Sequence, residues 1–356
     1  MFGPGALRLF LAFVVVVHHS TPLRMGALAV YIFYILSGYW IAKMWDERYA
    51  RTRNPLLTFY VSRWWRLAPV FLLCIALGLV WMLCRGNALP IRDSPFLWFL
   101  RQLPIAGSGG AGRILPPAWS LDVEMQFYLL APALFWLLQR TSRPIGWIAG
   151  GALLLLPISH FWRGGSAEIP VLFPFLAFFV GGILIHRTQW HPSRVTAISA
   201  LAASVLLMTI ALMRPDLRAG IWRVGRHSQI PVDASNAVML LWVVLAVLSL
   251  PAVARNVRRA SVPWDRTMGD LAYPLYLFHW LPREFYYALG APSRPAWQAG
   301  ALLLSNFACA FAGAWVICRI VDRPLDRLRS RWVGKRLHTL SASTGPSIAP
   351  SIHGVH

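Results

Sequence analysis

The sequence predicts an all-α protein, a polytopic transmembrane bundle of about ten helices, on three observations. Of its 356 residues 57% are apolar, the mean hydropathy is +0.53, and only 13% are charged, where a soluble domain carries about a quarter. Apolar runs of about 17–22 residues recur from end to end, the length that crosses a hydrocarbon core. Charges or Pro/Gly clusters bound each run, as at the ends of membrane helices.

The spans fall near 7–23, 26–44, 67–84, 119–139, 145–162, 170–186, 195–213, 234–251, 269–289 and 297–318. The first leads straight into the second with no cleavage-site pattern after it, so it is expected to stay as a helix and not to act as a signal peptide. Residues 1–335 are expected to form one transmembrane domain, and 336–356, rich in Ser, Pro and Gly, a disordered cytoplasmic tail. The net charge of +21 points to membrane topology and not to nucleic acid, because Lys and Arg collect in cytoplasmic loops. Most of the 34 Lys and Arg fall at Arg8, 43–66, 140–143, 187–194, 255–266 and 319–336. That asymmetry places both termini inside. Cys74, Cys84, Cys309 and Cys318 show no CxxC spacing and read as structural thiols, with neither a disulfide frame nor a metal site.

Ionisable groups within spans are costly and therefore candidates for function. In RLFLAFVVVVHH, His19 lies roughly 16 Å along the helix from Arg8, and eleven steps of about 100° bring the two to within about 20° of one face. His18 sits about 80° away; either ring could instead be a polar tip at a helix end. In WSLDVEMQFYLL, Glu124 and Tyr128 share one face at i and i+4, and Asp122 and Gln126 another. A structural pairing with a helix-end arginine is the alternative for both carboxylates. In FYVSRWWRLAP, Arg63 and Arg66 are either topology markers flanked by the anchoring Trp64 and Trp65, or an anion site, since guanidinium forks fit phosphate. Tyr273, Tyr276 and His279 recur at three-residue spacing in LAYPLYLFHWLP, as a site or as interfacial belt residues.

In this order the motifs resemble the acyltransferase-3 family of integral membrane acyltransferases, from Arg8 to about Arg327. The resemblance rests on Arg8 and His19 with ten residues between, YILSGYWI (Ser37, Gly38), SRWWRLAP (Arg63, Arg66, Pro69) and WSLDVEMQFYLLAP (Trp119, Ser120, Glu124, Phe127, Tyr128, Pro132). YPLYLFHW (Tyr273, Tyr276, His279) and VDRPLDRL (Arg323, Pro324) complete it. Ala272 departs from it, since many members carry Ser there. The chain is also expected to lack the extracytoplasmic SGNH-type domain that some members carry.

The resemblance implies a bacterial inner-membrane O-acyltransferase that moves an acyl group, commonly acetyl from cytoplasmic acetyl-CoA, onto a hydroxyl of a glycan such as exopolysaccharide or O-antigen, with no metal. Its partners would be that glycan or another hydroxyl acceptor, and membrane lipid. His19 would be the general base, since neutral imidazole can take the hydroxyl proton. Glu124 would orient that ring or stabilise its charged form. Arg8, Arg63 and Arg66 would hold the CoA phosphates. Ser37 and Tyr128 would line the pocket or donate to the oxyanion, with Tyr276 and His279 as further pocket residues. No nucleophilic Ser–His–Asp or Cys–His pattern is evident, which favours direct transfer. A transporter or flippase of lipid-linked glycans could use the same buried ions as a pathway, but the broken-helix, paired-repeat pattern of many transporters is not visible in the sequence.

Overall fold

Pro4 opens the first helix, its missing N–H costing nothing in a first turn. In the computed structural model, residues 3–86, 94–103, 113–166, 169–222, 232–259 and 262–337 are described. The tail expected from 336 lies, from His338 on, outside the described residues, as do parts of the basic loops at 85–113 and 214–226. Sixteen α-helices follow one another: α1 Pro4–Ser20, α2 Gly26–Glu47, α3 Pro55–Cys84, α4 Pro95–Gln102, α5 Trp119–Arg140, α6 Arg143–Ala152, α7 Leu155–Trp162 and α8 Leu176–Arg187. The second half comprises α9 Arg194–Met213, α10 Pro215–Ile221, α11 Val232–Leu248, α12 Leu250–Asn256, α13 Pro263–Phe278, α14 Trp280–Ala288, α15 Ala296–Ile317 and α16 Arg323–Gly334. Among the described residues there is no strand, only two isolated bridges, Leu23–Trp222 and Thr52–Leu337. The protein is an all-α, multi-pass membrane bundle.

Among the described residues six helices are long and apolar enough to cross a membrane, or seven if the bent pair α11–α12 is one span. The other expected spans are short or interrupted: α1 and the stretch Phe173–Arg187 fall below that length, and two spans break where a proline removes a backbone donor. Pro251 cannot donate to the Val247 carbonyl, and α11 and α12 meet at 43°. Pro282 cannot donate to Phe278, and the expected span at 269–289 divides at His279 into α13 and α14. One helix runs longer than expected. α3 starts at Pro55 and not near 67, so SRWWRLAP lies inside a helix of 30 residues, about 45 Å long. Beyond α15 the chain widens into a π turn, Cys318–Asp322, and then the charged α16, which packs on α3.

α1 packs between α2 and α13. α1 and α13 run in the same direction. At their starts the N–H groups of Gly5 and Ala6 donate to the Asp265 carboxylate at 3.0 and 2.9 Å, and at their ends His19 meets His279. Gly5 permits this contact, since a Cβ there would lie 1.7 Å from the Asp265 carbonyl oxygen. Gly38 does the same for α2 against α8, where a Cβ would stand 2.1 Å from the Phe179 oxygen. Small residues that let helix backbones touch are the usual substitute for hydrophobic driving force in lipid. The fully buried rings of Tyr31, Phe127, Phe179 and Trp242 fill the centre, while Leu129, Trp136, Ile148, Val205 and Leu304 face outward. All four cysteines are free, Cys74 and Cys318 buried, Cys84 and Cys309 exposed.

Candidate active site

A cavity of about 580 Å³ opens between α1, α2, α3, α5, α13 and α16. Its interior belongs to Glu124, the sixth residue of α5. Glu124 Oε1 accepts from Ser37 Oγ at 2.7 Å and from Tyr128 OH at 2.5 Å. The i and i+4 spacing puts Tyr128 beside the carboxylate on the same helix, and Ser37 arrives from α2. Gly38 seats that helix on α8, so Ser37 turns to the cavity while its neighbour makes the backbone contact. A carboxylate inside a bundle is tolerable only with such donors, because an isolated charge there is expensive.

Arginines crowd the other end. Arg8 of α1 lies over the Trp40 ring, 5.2 Å from its centroid. Arg63 is buried and donates to the phenol of Tyr49; that phenol also bonds Ser62 Oγ at 2.9 Å, which in turn accepts from Arg329 at 2.7 Å. Arg66 points to acid instead, pairing with Asp322 of the π turn and lying 3.9 Å from Asp326. Arg323 pairs with Asp270 at 3.0 Å, and Arg329 with Asp326 at 2.8 Å. Among the described residues, neither Arg8 nor Arg63 makes an ion pair with a carboxylate, and both line the cavity. This end therefore offers guanidinium forks that no carboxylate occupies, suited to an anion.

His19 and His279 sit beyond the opposite end and do not line the cavity. Their rings stack at 5.3 Å and 24°. Trp280 meets His19 edge-on at 5.5 Å. His18 turns elsewhere and packs on Gly26, where a Cβ would approach its ring to 2.6 Å. Between the histidines and the cavity stands Tyr276, which lines the cavity and lies 6.3 Å from the His279 ring. Its hydroxyl bonds Ser120 Oγ at 2.6 Å and the Pro117 carbonyl at 3.0 Å.

Seven of the nine residues expected to form the site, Arg8, Ser37, Arg63, Arg66, Glu124, Tyr128 and Tyr276, thus share one cavity. His19 and His279 share a separate contact. The carboxylate expected to orient His19 is engaged by Ser37 and Tyr128. Sequence reasoning missed the acidic counterweights Asp270, Asp322 and Asp326. For Asp322 and Asp326 the signal was present in DRPLDR, where they, and Arg323 and Arg327, recur at i and i+4. Asp122, meanwhile, is fully buried against Arg113 and does not line the cavity. Among the described residues no group of three or more His, Cys, Asp or Glu could hold a metal.

A family model described as an acyltransferase domain, of the acyltransferase-3 type, matches residues 3–319. The chain belongs to the acyltransferase-3 family. As a member of that family it is a membrane-embedded O-acyltransferase. Named relatives of this acyltransferase include "Acyltransferase MdmB" of Streptomyces mycarofaciens, 25% identical over 361 residues, 88% of this chain and 84% of that protein. "Nodulation protein 10" of Rhizobium leguminosarum bv. viciae is 25% identical over 350 residues, 88% of this chain and 86% of that one. "O-acetyltransferase OatA" of Staphylococcus aureus is 30% identical over 189 residues, 47% of this chain but only 31% of the relative. No solved structure matches the chain.

Proposed function

We propose that this acyltransferase carries an acetyl group from acetyl-CoA to a hydroxyl of a glycan, in a bacterial inner membrane with both termini in the cytoplasm. The observation that carries the reading is a single cavity with carboxylate-free arginines, Arg8 and Arg63, at one end and Glu124 within. A CoA thioester is a polyanion joined to a long neutral arm, which matches that division of charge. Guanidinium groups bind phosphate in a fork; Arg8 and Arg63 are free to do so, and Arg66 contributes while held by Asp322. The arm enters the cavity past Ser37 and Glu124 and passes Tyr276 to meet His19.

There the acceptor oxygen attacks the thioester carbonyl, the carbon–oxygen bond forms and the carbon–sulfur bond breaks. His19 takes the hydroxyl proton and passes it to the departing thiolate, leaving a glycan ester and free CoA. Glu124 balances the transient imidazolium from within the bundle, at a distance and not by contact.

The test is release of label from acetyl-CoA by the purified full chain supplied with glycan acceptors, from exopolysaccharide to O-antigen. Transfer to a hydroxyl, lost in His19→Ala, is expected. Failure to consume thioester with any acceptor would overturn the reading.

A further inference from the structure

Arg283 is held on several sides at the histidine end. Its Nε donates to the backbone carbonyl of His19 at 2.9 Å, and its Nη1 bonds Glu284 at 2.7 Å. The guanidinium lies between two rings, 4.0 Å from the centroid of Trp280 and 4.5 Å from that of Tyr287. Trp280 in turn meets His19 edge-on at 5.5 Å, and His279, one residue earlier, stacks on that imidazole at 5.3 Å. His279 is fully buried, with Nδ1 3.3 Å from the Leu275 carbonyl.

We infer that Arg283 is a positioning residue that fixes the His19 imidazole for acyl transfer, acting through the last turn of α1 and through Trp280. The inference rests on the reading of His19 as the base. α1 ends at Ser20, so the His19 carbonyl is one of the four that a helix C-terminus leaves without an internal donor. A cation that donates there both satisfies the oxygen and complements the negative end of the helix. The side chain of the same residue is pinned by a ring that Arg283 also holds. Backbone and imidazole of His19 are thus set by one guanidinium. Lysine cannot reproduce this, because a point ammonium lacks the planar fork that bonds a carbonyl while lying flat between two rings. The break at Pro282 serves the same end: it starts a new helix at Trp280 and turns Arg283 back over α1.

The experiment uses the full chain in detergent, labelled acetyl-CoA, and the membrane glycan fraction of cells that express it. Arg283→Ala is expected to lower kcat about 10- to 100-fold, the loss that follows from misplacing a catalytic group by an ångström or so. The KM for acetyl-CoA should stay within about twofold, since the arginine end of the cavity is untouched, and Arg283→Lys should not rescue kcat. Diethylpyrocarbonate modification of His19, mapped by mass spectrometry, should rise severalfold in both variants. Arg283→Lys, with its charge and bulk kept, carries the test if Arg283→Ala does not fold. A folded variant with normal kcat, or with an unchanged His19 modification rate, beside an inactive His19→Ala overturns this inference alone. A fully active His19→Ala overturns the reading of His19 as base, and this inference with it.

Discussion

Arg63 donates to the neutral phenol of Tyr49, whereas Arg66, three residues on, is bound to the carboxylate of Asp322. The two arginines lie on adjacent turns of one face of α3, yet only the first keeps its charge unshared. Arg63→Ala should therefore raise the KM for acetyl-CoA at least tenfold, the effect of losing one charge-assisted contact of about 1.5–3 kcal/mol. Initial rates against donor concentration check this, and an unchanged KM would remove Arg63 from the donor site.

Asp322→Ala should act on stability first. Removing one partner of a buried pair leaves the other uncompensated and costs about 3–5 kcal/mol when both are buried. Arg66 is partly exposed, so about 1–3 kcal/mol is expected after solvent screening. Thermal unfolding of the purified protein measures it, and Arg66→Met combined with Asp322→Leu should recover much of the loss.

Glu124→Gln keeps the shape of the side chain and an oxygen for Ser37 or Tyr128, but removes the charge. A fall in kcat of about 10²–10³ is expected, the usual effect of deleting an electrostatic partner of the transition state. Ser37→Ala and Tyr128→Phe, each removing one of the two donors to Oε1, should cost less. Adding either to Glu124→Gln should cost little more, because the three act as one unit. A Glu124→Gln enzyme with normal kcat would confine this carboxylate to a packing role.

Asp265→Ala should loosen the start of α1. The carboxylate receives two backbone N–H groups of the first turn, and orphaning buried donors costs about 1–3 kcal/mol. The melting temperature should fall, and Asp265→Asn, which keeps one acceptor, should fall less. Equal melting temperatures for Ala and Asn would show that the cap contributes nothing.

Much of this was legible in the chain. Arg8 and His19, placed on one stripe of α1 by their spacing, meet different neighbours: Arg8 lies over Trp40 of α2 and lines the cavity, whereas His19 stacks on His279 at the end of α13. Glu124 and Tyr128 bond at their i and i+4 spacing. Periodicity fixes where residues stand on their own helix, and the Glu124–Tyr128 pair needed nothing more. What failed to show were the partnerships between distant segments. Arg66 and Asp322 are 256 positions apart, Ser37 and Glu124 87 apart, and no local pattern states how one helix is turned towards another. The donor to the His19 carbonyl was hidden for the same reason: Arg283 follows a proline break inside what reads as one continuous span.

Tyr276 adds a consequence about permeability. A bundle with a polar chamber on one side of Tyr276 and an imidazole pair on the other comes close to being a pore, and a proton pore would be costly in any membrane that holds a gradient. The phenol of Tyr276, bonded to Ser120 and to the Pro117 carbonyl, stands between that chamber and the His279 ring 6.3 Å away. If the donor arm passes this way, as the proposed function has it, it must pass the hydrogen-bonded ring of Tyr276 while water is kept out.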